Sequence, residues 1–210
     1  MLRHFTGGAL ALLLAVPVSA QAPEGWQTRV DASTSATDPD DVPEVTVTQT
    51  QNGFEVRTGP AVTMWNPANT ATGAYTLEGT FTLLEPSGHV NYYGLIYGGS
   101  GLEGPQQSYI YFLVAQNGSY IIRHRAGEAV HDIVGRTPHE AVREPDANGQ
   151  SVNHLQVRVG ADQTEFVVNG QVVHTAPKQG MAGRTDGIWG VRINHVIPGV
   201  RVEGLRVTQG

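Results

Sequence analysis

The chain has 210 residues, 13 Lys and Arg against 19 Asp and Glu, a net charge of −6 and no cysteine. A net-acidic chain without a basic run is a poor partner for nucleic acid and for anionic membrane surfaces. The absence of cysteine excludes disulfides, thiolate metal sites and Cys nucleophiles.

Residues 1–20 carry Arg3 and His4, an apolar stretch over 9–18, and Val18-Ser19-Ala20 before Gln21. A charged start, a short apolar middle and a small-x-small end read as a secretory signal peptide removed after Ala20. The apolar stretch is too short for a bilayer, which takes about 20 such residues, and no later run approaches that length, so no membrane insertion is expected. The expected location is export, periplasmic or extracellular. Residues 21–43 read as a lead-in strand around Trp26 followed by an exposed loop, and residues 44–210 as the folded domain.

Strand signals then come regularly. Residues 45–48 and 54–57 flank the turn Gln51-Asn52-Gly53. Residues 61–65 follow, with a loop at 66–73. Over 75–84, Tyr75, Leu77, Gly79, Phe81 and Leu83 alternate with Thr76, Glu78, Thr80 and Thr82, the period of a half-buried strand. Residues 92–97, 109–115 and 120–125 form a central group, and 129–134 a weaker strand. The longest break is 136–151; its only helix-like stretch, 139–144, is too short to be stable alone. Residues 153–159 alternate Leu155, Val157 and Val159 with His154, Gln156 and Arg158. Asn169-Gly170 then tolerates φ > 0 at both positions of a type I′ turn. Residues 187–194 precede a last strand at 200–207, whose apolar phase slips at Glu203-Gly204, predicting a bulge there. Short strands, 26 glycines and no convincing helix predict an all-β, two-sheet antiparallel sandwich.

The motif order carries a resemblance. Tyr75-Thr76-Leu77-Glu78-Gly79-Thr80-Phe81 resembles the y-x-l-x-x-x-f strand of concanavalin A-like jelly rolls. Asn91-Tyr92-Tyr93-Gly94-Leu95 resembles the N-x-G-I/L strand, and Asn153-His154-Leu155-Gln156-Val157 the W/N-x-L-x-I strand. Val168-Asn169-Gly170-Gln171-Val172-Val173 is similar to the v-N-G-x-x-v hairpin, and Gly187-Ile188-Trp189-Gly190-Val191 to the G-x-I-G-L strand. Over about residues 54–208 the chain thus resembles the concanavalin A-like lectin/glucanase superfamily. Within it, the chain is similar to exported 3-keto-disaccharide hydrolase-like (DUF1080-type) and laminin-G-like domains. The resemblance implies a jelly roll that either binds a glycan or processes a glycoside. The arginine it would place shortly after Gly94 is Gly98 here.

Retaining glucanases of this superfold carry an E-x-D-x-E strand, because two carboxylates ~5–5.5 Å apart must act as nucleophile and acid. No such strand exists here; Glu78, Glu103, Glu128, Glu165 and Glu203 are scattered. Alternation instead puts Tyr109 and Tyr111, with Arg123 and Arg125, on the face opposite the core, and Arg192 and Asn194 beside them. Rings next to Arg and Asn donors on an exposed face suit a sugar ring and its hydroxyls. With Tyr92, these form the expected ligand-binding set for a glycan or a cell-surface component. The plain alternative is that the tyrosines cover the sheet and the arginines pair with acids. His124, His131 and His139 have no metal-ligand spacing. Asp38, Asp40 and Asp41 could offer oxygens to calcium but lack the spacing of a loop motif, so no cofactor is expected. Trp26 and Trp65 read as core.

Overall fold

The structure is a computed structural model that describes residues 22–31 and 44–210. The signal peptide expected at 1–20 and the acidic loop with Asp38, Asp40 and Asp41 lie outside the described residues.

Among the described residues, two seven-stranded antiparallel sheets face each other. The first runs, in spatial order, β1 (Gln27–Asp31), β4 (Ala61–Ala71), β13 (Gly187–Ile193), β6 (Tyr92–Ser100), β7 (Ser108–Ala115), β8 (Ser119–Ala126) and β9 (Ala129–Pro138). The second runs β12 (Gln171–Pro177), β11 (Gln163–Val168), β10 (Ser151–Val159), β5 (Tyr75–Glu85), β14 (Ile197–Gln209), β3 (Gly53–Thr58) and β2 (Thr46–Thr50). The predicted jelly-roll sandwich is the observed fold.

The inward half of each alternation builds the core. Phe81 and Leu83 on β5, Leu155 and Val157 on β10 and Phe166 on β11 meet Tyr93, Leu95, Phe112, Ile122 and Val191 of the first sheet. The Phe112 ring lies 5.2 Å from that of Phe166, edge to face. Each such side chain removed from water contributes about 1.5–3 kcal/mol.

The Asn169-Gly170 turn forms as expected, with φ of 50° and 85° between paired Val168 and Gln171. Asn169 does more than turn. Its Oδ1 accepts the His154 amide at 2.9 Å, and its Nδ2 donates to Ala141 O at 2.8 Å and to Asn153 Oδ1 at 2.9 Å. Asn153 in turn accepts the Arg143 amide. These bonds hold residues 139–144 as a turn against β10, with Ala141 and Val142 in the core. The bulge at Glu203-Gly204 also forms: the β14–β5 register shifts there and Gly204 has φ 61°.

Several strands run further than the sequence reading, β6 to Ser100 and β14 over Ile197–Gln209 among them. β9 continues to Pro138. β4 runs through the predicted 66–73 loop to Ala71. Its pairing with β13 jumps from Trp65↔Gly190 to Thr70↔Ile188, so residues 66–69 bulge out and rejoin the ladder. Pro67 is tolerated because β1, the neighbour on the other side, pairs no further than Trp65.

Candidate functional site

The outer face of the first sheet collects the expected ligand set. Pairing of β7 with β8 puts Tyr109 opposite Arg125 and Tyr111 opposite Arg123, all outward. β13 adds Arg192. The expected parity is therefore the observed one, but the expectation that these side chains lie on an exposed face is corrected. Tyr109 is 0% exposed, and Tyr92, Tyr111 and Arg192 are also buried. Alternation tells which face a residue is on but not whether that face is covered. Here Leu102, from the β6–β7 loop, and Val90, before β6, pack with Trp65, Tyr92, Ile96, Tyr109, Tyr111, Leu113 and Ile121 into a second apolar cluster. Trp65 is buried as expected, but in this outer cluster.

Arg192 is the centre of the polar part. Its Nη1 donates to Asp31 Oδ2 at 3.0 Å, Thr63 Oγ1 at 2.7 Å and the Tyr109 hydroxyl at 2.8 Å. Its Nε donates to Asn194 Oδ1 at 2.7 Å. Its guanidinium carbon lies 6.0 Å from the Tyr109 ring centre and 5.6 Å from that of Tyr111, within cation–π range. The two tyrosines therefore act as a wall that holds Arg192.

Asp31, at the end of β1, serves more than one arginine. Arg29 Nε donates to its Oδ1 at 3.0 Å, and Arg125 Nη1 lies 3.7 Å from its Oδ2. Burial works to raise the Asp31 pKa, but Arg192, Arg29 and Arg125 outweigh it and hold the carboxyl below its ordinary value. Burial likewise works against the Arg192 charge, and Tyr109, Asp31 and Tyr111 more than restore it. The accessible groups are Arg125, 16% exposed, and Arg123, 26% exposed and bonded to Asp132 at 2.5 Å. Arg136 lies over the Tyr92 ring.

Sequence reasoning missed Arg29, Asp31, Thr63 and Asp132. The one local signal was Arg29 and Asp31 two residues apart, hence on one face of a strand; their partner Arg192 is far away in the chain.

Two further arrangements bear on catalysis. On the outer face of the second sheet, His154 Nε2 lies 3.4 Å from Glu78 Oε2 and its Nδ1 lies 3.2 Å from Thr80 Oγ1. Gln156 donates to Glu78 at 2.6 Å and Arg206 pairs with it. The Gln156 bond is the main cause that lowers the Glu78 pKa; burial opposes it, while Arg206 and His154 add to it. A carboxylate held ionised cannot serve as a general acid. Separately, a cavity of about 370 Å³ is lined by Gly98, Ser100, Ser108, Lys178, Arg184 and Asp186, among others. Behind it Ser108 Oγ lies 3.1 Å from His124 Nε2. The Nδ1 of His124 has no hydrogen-bond partner among the described residues, and its ring stacks on that of His131. Among the described residues, no group of three or more His, Asp or Glu could hold a metal ion.

No protein-family model matches the chain, and no curated protein matches it in sequence. Solved structures do match in fold. One is the carbohydrate binding module CBM66 from Bacillus subtilis, with a TM-score of 0.62 and 12% identity over 88% of this chain and 96% of that one. A second is a GH16 protein of the Bacteroides ovatus mixed linkage glucan locus, solved with a G4G4G3G product. Its TM-score is 0.57 at 7% identity, covering 91% and 98% of the two chains. A third, from Bacillus subtilis, is a protein of unknown function with a galectin-like fold, at TM-score 0.55 and 11% identity over 87% and 98%. The fold is thus a concanavalin A-like, galectin-like jelly roll, an architecture that does not by itself fix a function.

Proposed function

We propose that the chain is an exported carbohydrate- or surface-binding module that holds a saccharide on the outer face of its first sheet without catalysis. One observation carries this reading: the Arg192–Asp31–Tyr109 cluster is already assembled and buried under the accessible Arg123 and Arg125. A floor fixed by an ion pair, two hydroxyls and two rings needs no reordering on binding, which is what a recognition site needs. The fold shared with the CBM66 carbohydrate binding module supports it. Arg123, Arg125 and Asn194 contact the ligand; Tyr92, Tyr109, Tyr111 and Arg192 form the floor that positions them.

A second reading is a glycoside-processing hydrolase of the 3-keto-disaccharide type. The Glu78–His154–Thr80 chain favours it, since a carboxylate-oriented His is the usual form of a base. Against it, these groups lie on an open sheet whose backbone N–H groups are engaged in strand pairing, so no backbone donor is left for a developing oxyanion. The position where the resemblance would place an arginine is also closed: Gly98 has φ 62°, and a Cβ there would lie 2.1 Å from the Arg184 carbonyl.

Titrating the protein with native and 3-keto oligosaccharides, following heat and product, separates the readings. Binding without product, weakened by Arg125→Gln, is expected. Turnover abolished by His154→Ala would overturn the binding reading.

A further inference from the structure

We propose that the ligand of this face is an anionic saccharide, with its carboxylate or sulfate ester bound by Arg125 and Arg123. The inference rests on the reading of the face as a saccharide site and adds the class of sugar.

Charge balance on this face points to an anion. Three guanidinium groups, those of Arg29, Arg125 and Arg192, converge on the single carboxylate of Asp31. Their other bonds among the described residues go to neutral oxygens, such as Arg29 Nη1 to Gly104 O at 2.6 Å and Arg125 Nε to Gly127 O at 2.8 Å. Asp132 matches Arg123, and exposed Arg136 adds another positive charge beside Tyr92. The strands of this face therefore carry Arg29, Arg123, Arg125, Arg136 and Arg192 against Asp31 and Asp132, with exposed Glu103 and Glu128 on the flanking loops, although the chain as a whole has a net charge of −6.

The centre of this cluster is not in open water. The side chains of Arg192 and Asp31 are 6% and 13% exposed. Among the described residues, three guanidinium groups sharing one carboxylate in such a place are costly, and an incoming anion relieves the cost. Arg125 and Arg123 stand two residues apart on one face of β8, roughly 6–7 Å along the strand, so both forks can reach one carboxylate or sulfate. The planar fork suits either anion. Asn194 adds a feature for a sugar: its Oδ1 is taken by Arg192, so its amide nitrogen is the end left for a ring hydroxyl.

The test is titration of the full chain with hexagalacturonate, with the same oligosaccharide methyl-esterified at every carboxylate, and with sulfated cellohexaose. We expect an anionic probe to bind at least about tenfold tighter than the neutral ester, the worth of one charge-assisted hydrogen bond. Whether uronate or sulfated sugar binds tighter assigns the anion as carboxylate or sulfate. Arg125→Gln should remove the preference and Arg125→Lys restore part of it. Arg201→Gln, on the second sheet, should change nothing. Arg123→Gln, at the more exposed position, carries the test if Arg125→Gln does not fold. Should the neutral ester bind as tightly as the anions, with both arginine variants weakening it, the face holds sugar and the anion inference is overturned. Should no probe bind, or should both variants leave binding unchanged, the saccharide reading of the face falls with it.

Discussion

Arg192 and Asp31 meet at 3.0 Å across 161 residues of chain. β1 brings the carboxylate and β13 the guanidinium, on either side of β4, whose Thr63 bonds the same nitrogen. A strand that the sequence marks only as a lead-in thus supplies the counter-charge for the central cation of the candidate site.

This pair predicts an asymmetric pair of variants. Asp31→Asn leaves three guanidinium groups without a carboxylate and should cost about 3–5 kcal/mol, the range for breaking a buried ion pair. Arg192→Met leaves Asp31 still paired with Arg29 and should cost less, about 2–3 kcal/mol. Urea unfolding midpoints with unchanged slopes check both. Equal costs would mean that Arg29 and Arg125 do not share the Asp31 charge.

Stability should fall with acid in two windows. Burial, and then Arg184 and His131, lower the His124 pKa from its ordinary 6.5, and burial lowers that of His174. The unfolded chain takes those protons first, so stability declines as pH falls below about 6.5. The Asp31 and Glu78 carboxyls, both held below their ordinary 3.8 and 4.5, contribute stability that is full above those values and is lost as pH falls through the lowered ones. Midpoints measured at several pH values check this. His124→Gln should flatten the upper window and Asp31→Asn the lower.

Asn169 should tolerate no simple replacement. Asn169→Gly keeps the φ of 50° but loses bonds to His154, Ala141 and Asn153; at about 1 kcal/mol each, the cost should be about 2–3 kcal/mol. Asn169→Ala adds the left-handed backbone penalty of about 1 kcal/mol. The difference between the two variants, from chemical unfolding, isolates that penalty.

Gly98→Arg, which restores the arginine implied by the resemblance, should destabilise by about 3 kcal/mol or more, through overpacking and backbone strain together. The Arg184 carbonyl in its path is the reason. A folded, stable variant with new hydrolase activity would revive the second reading.

Much of the fold was legible because it rests on period and turn chemistry. The alternation in 75–84 and 153–159 marked the core face, and Asn169-Gly170 and Glu203-Gly204 marked a hairpin and a bulge that both form. The candidate site was legible only as a parity: Tyr109, Tyr111, Arg123 and Arg125 share a face, as read. That this face is covered depends on Leu102 and Val90, which arrive from loops without periodicity. That Arg192 is neutralised depends on Asp31, whose partnership follows from sheet order and has no trace in local sequence. The 66–69 bulge was missed because Pro67 suggests an end to the strand, and only the partner strand shows that the ladder resumes.

The most direct test of the saccharide face follows the arginine Nε–Hε signals by NMR while hexagalacturonate is added. Signals of Arg123 and Arg125 should move together, with those of Arg158 and Arg201 on the second sheet unmoved. Shifts confined to Arg158, Arg201 or Arg206 would place binding on the other sheet and contradict the account.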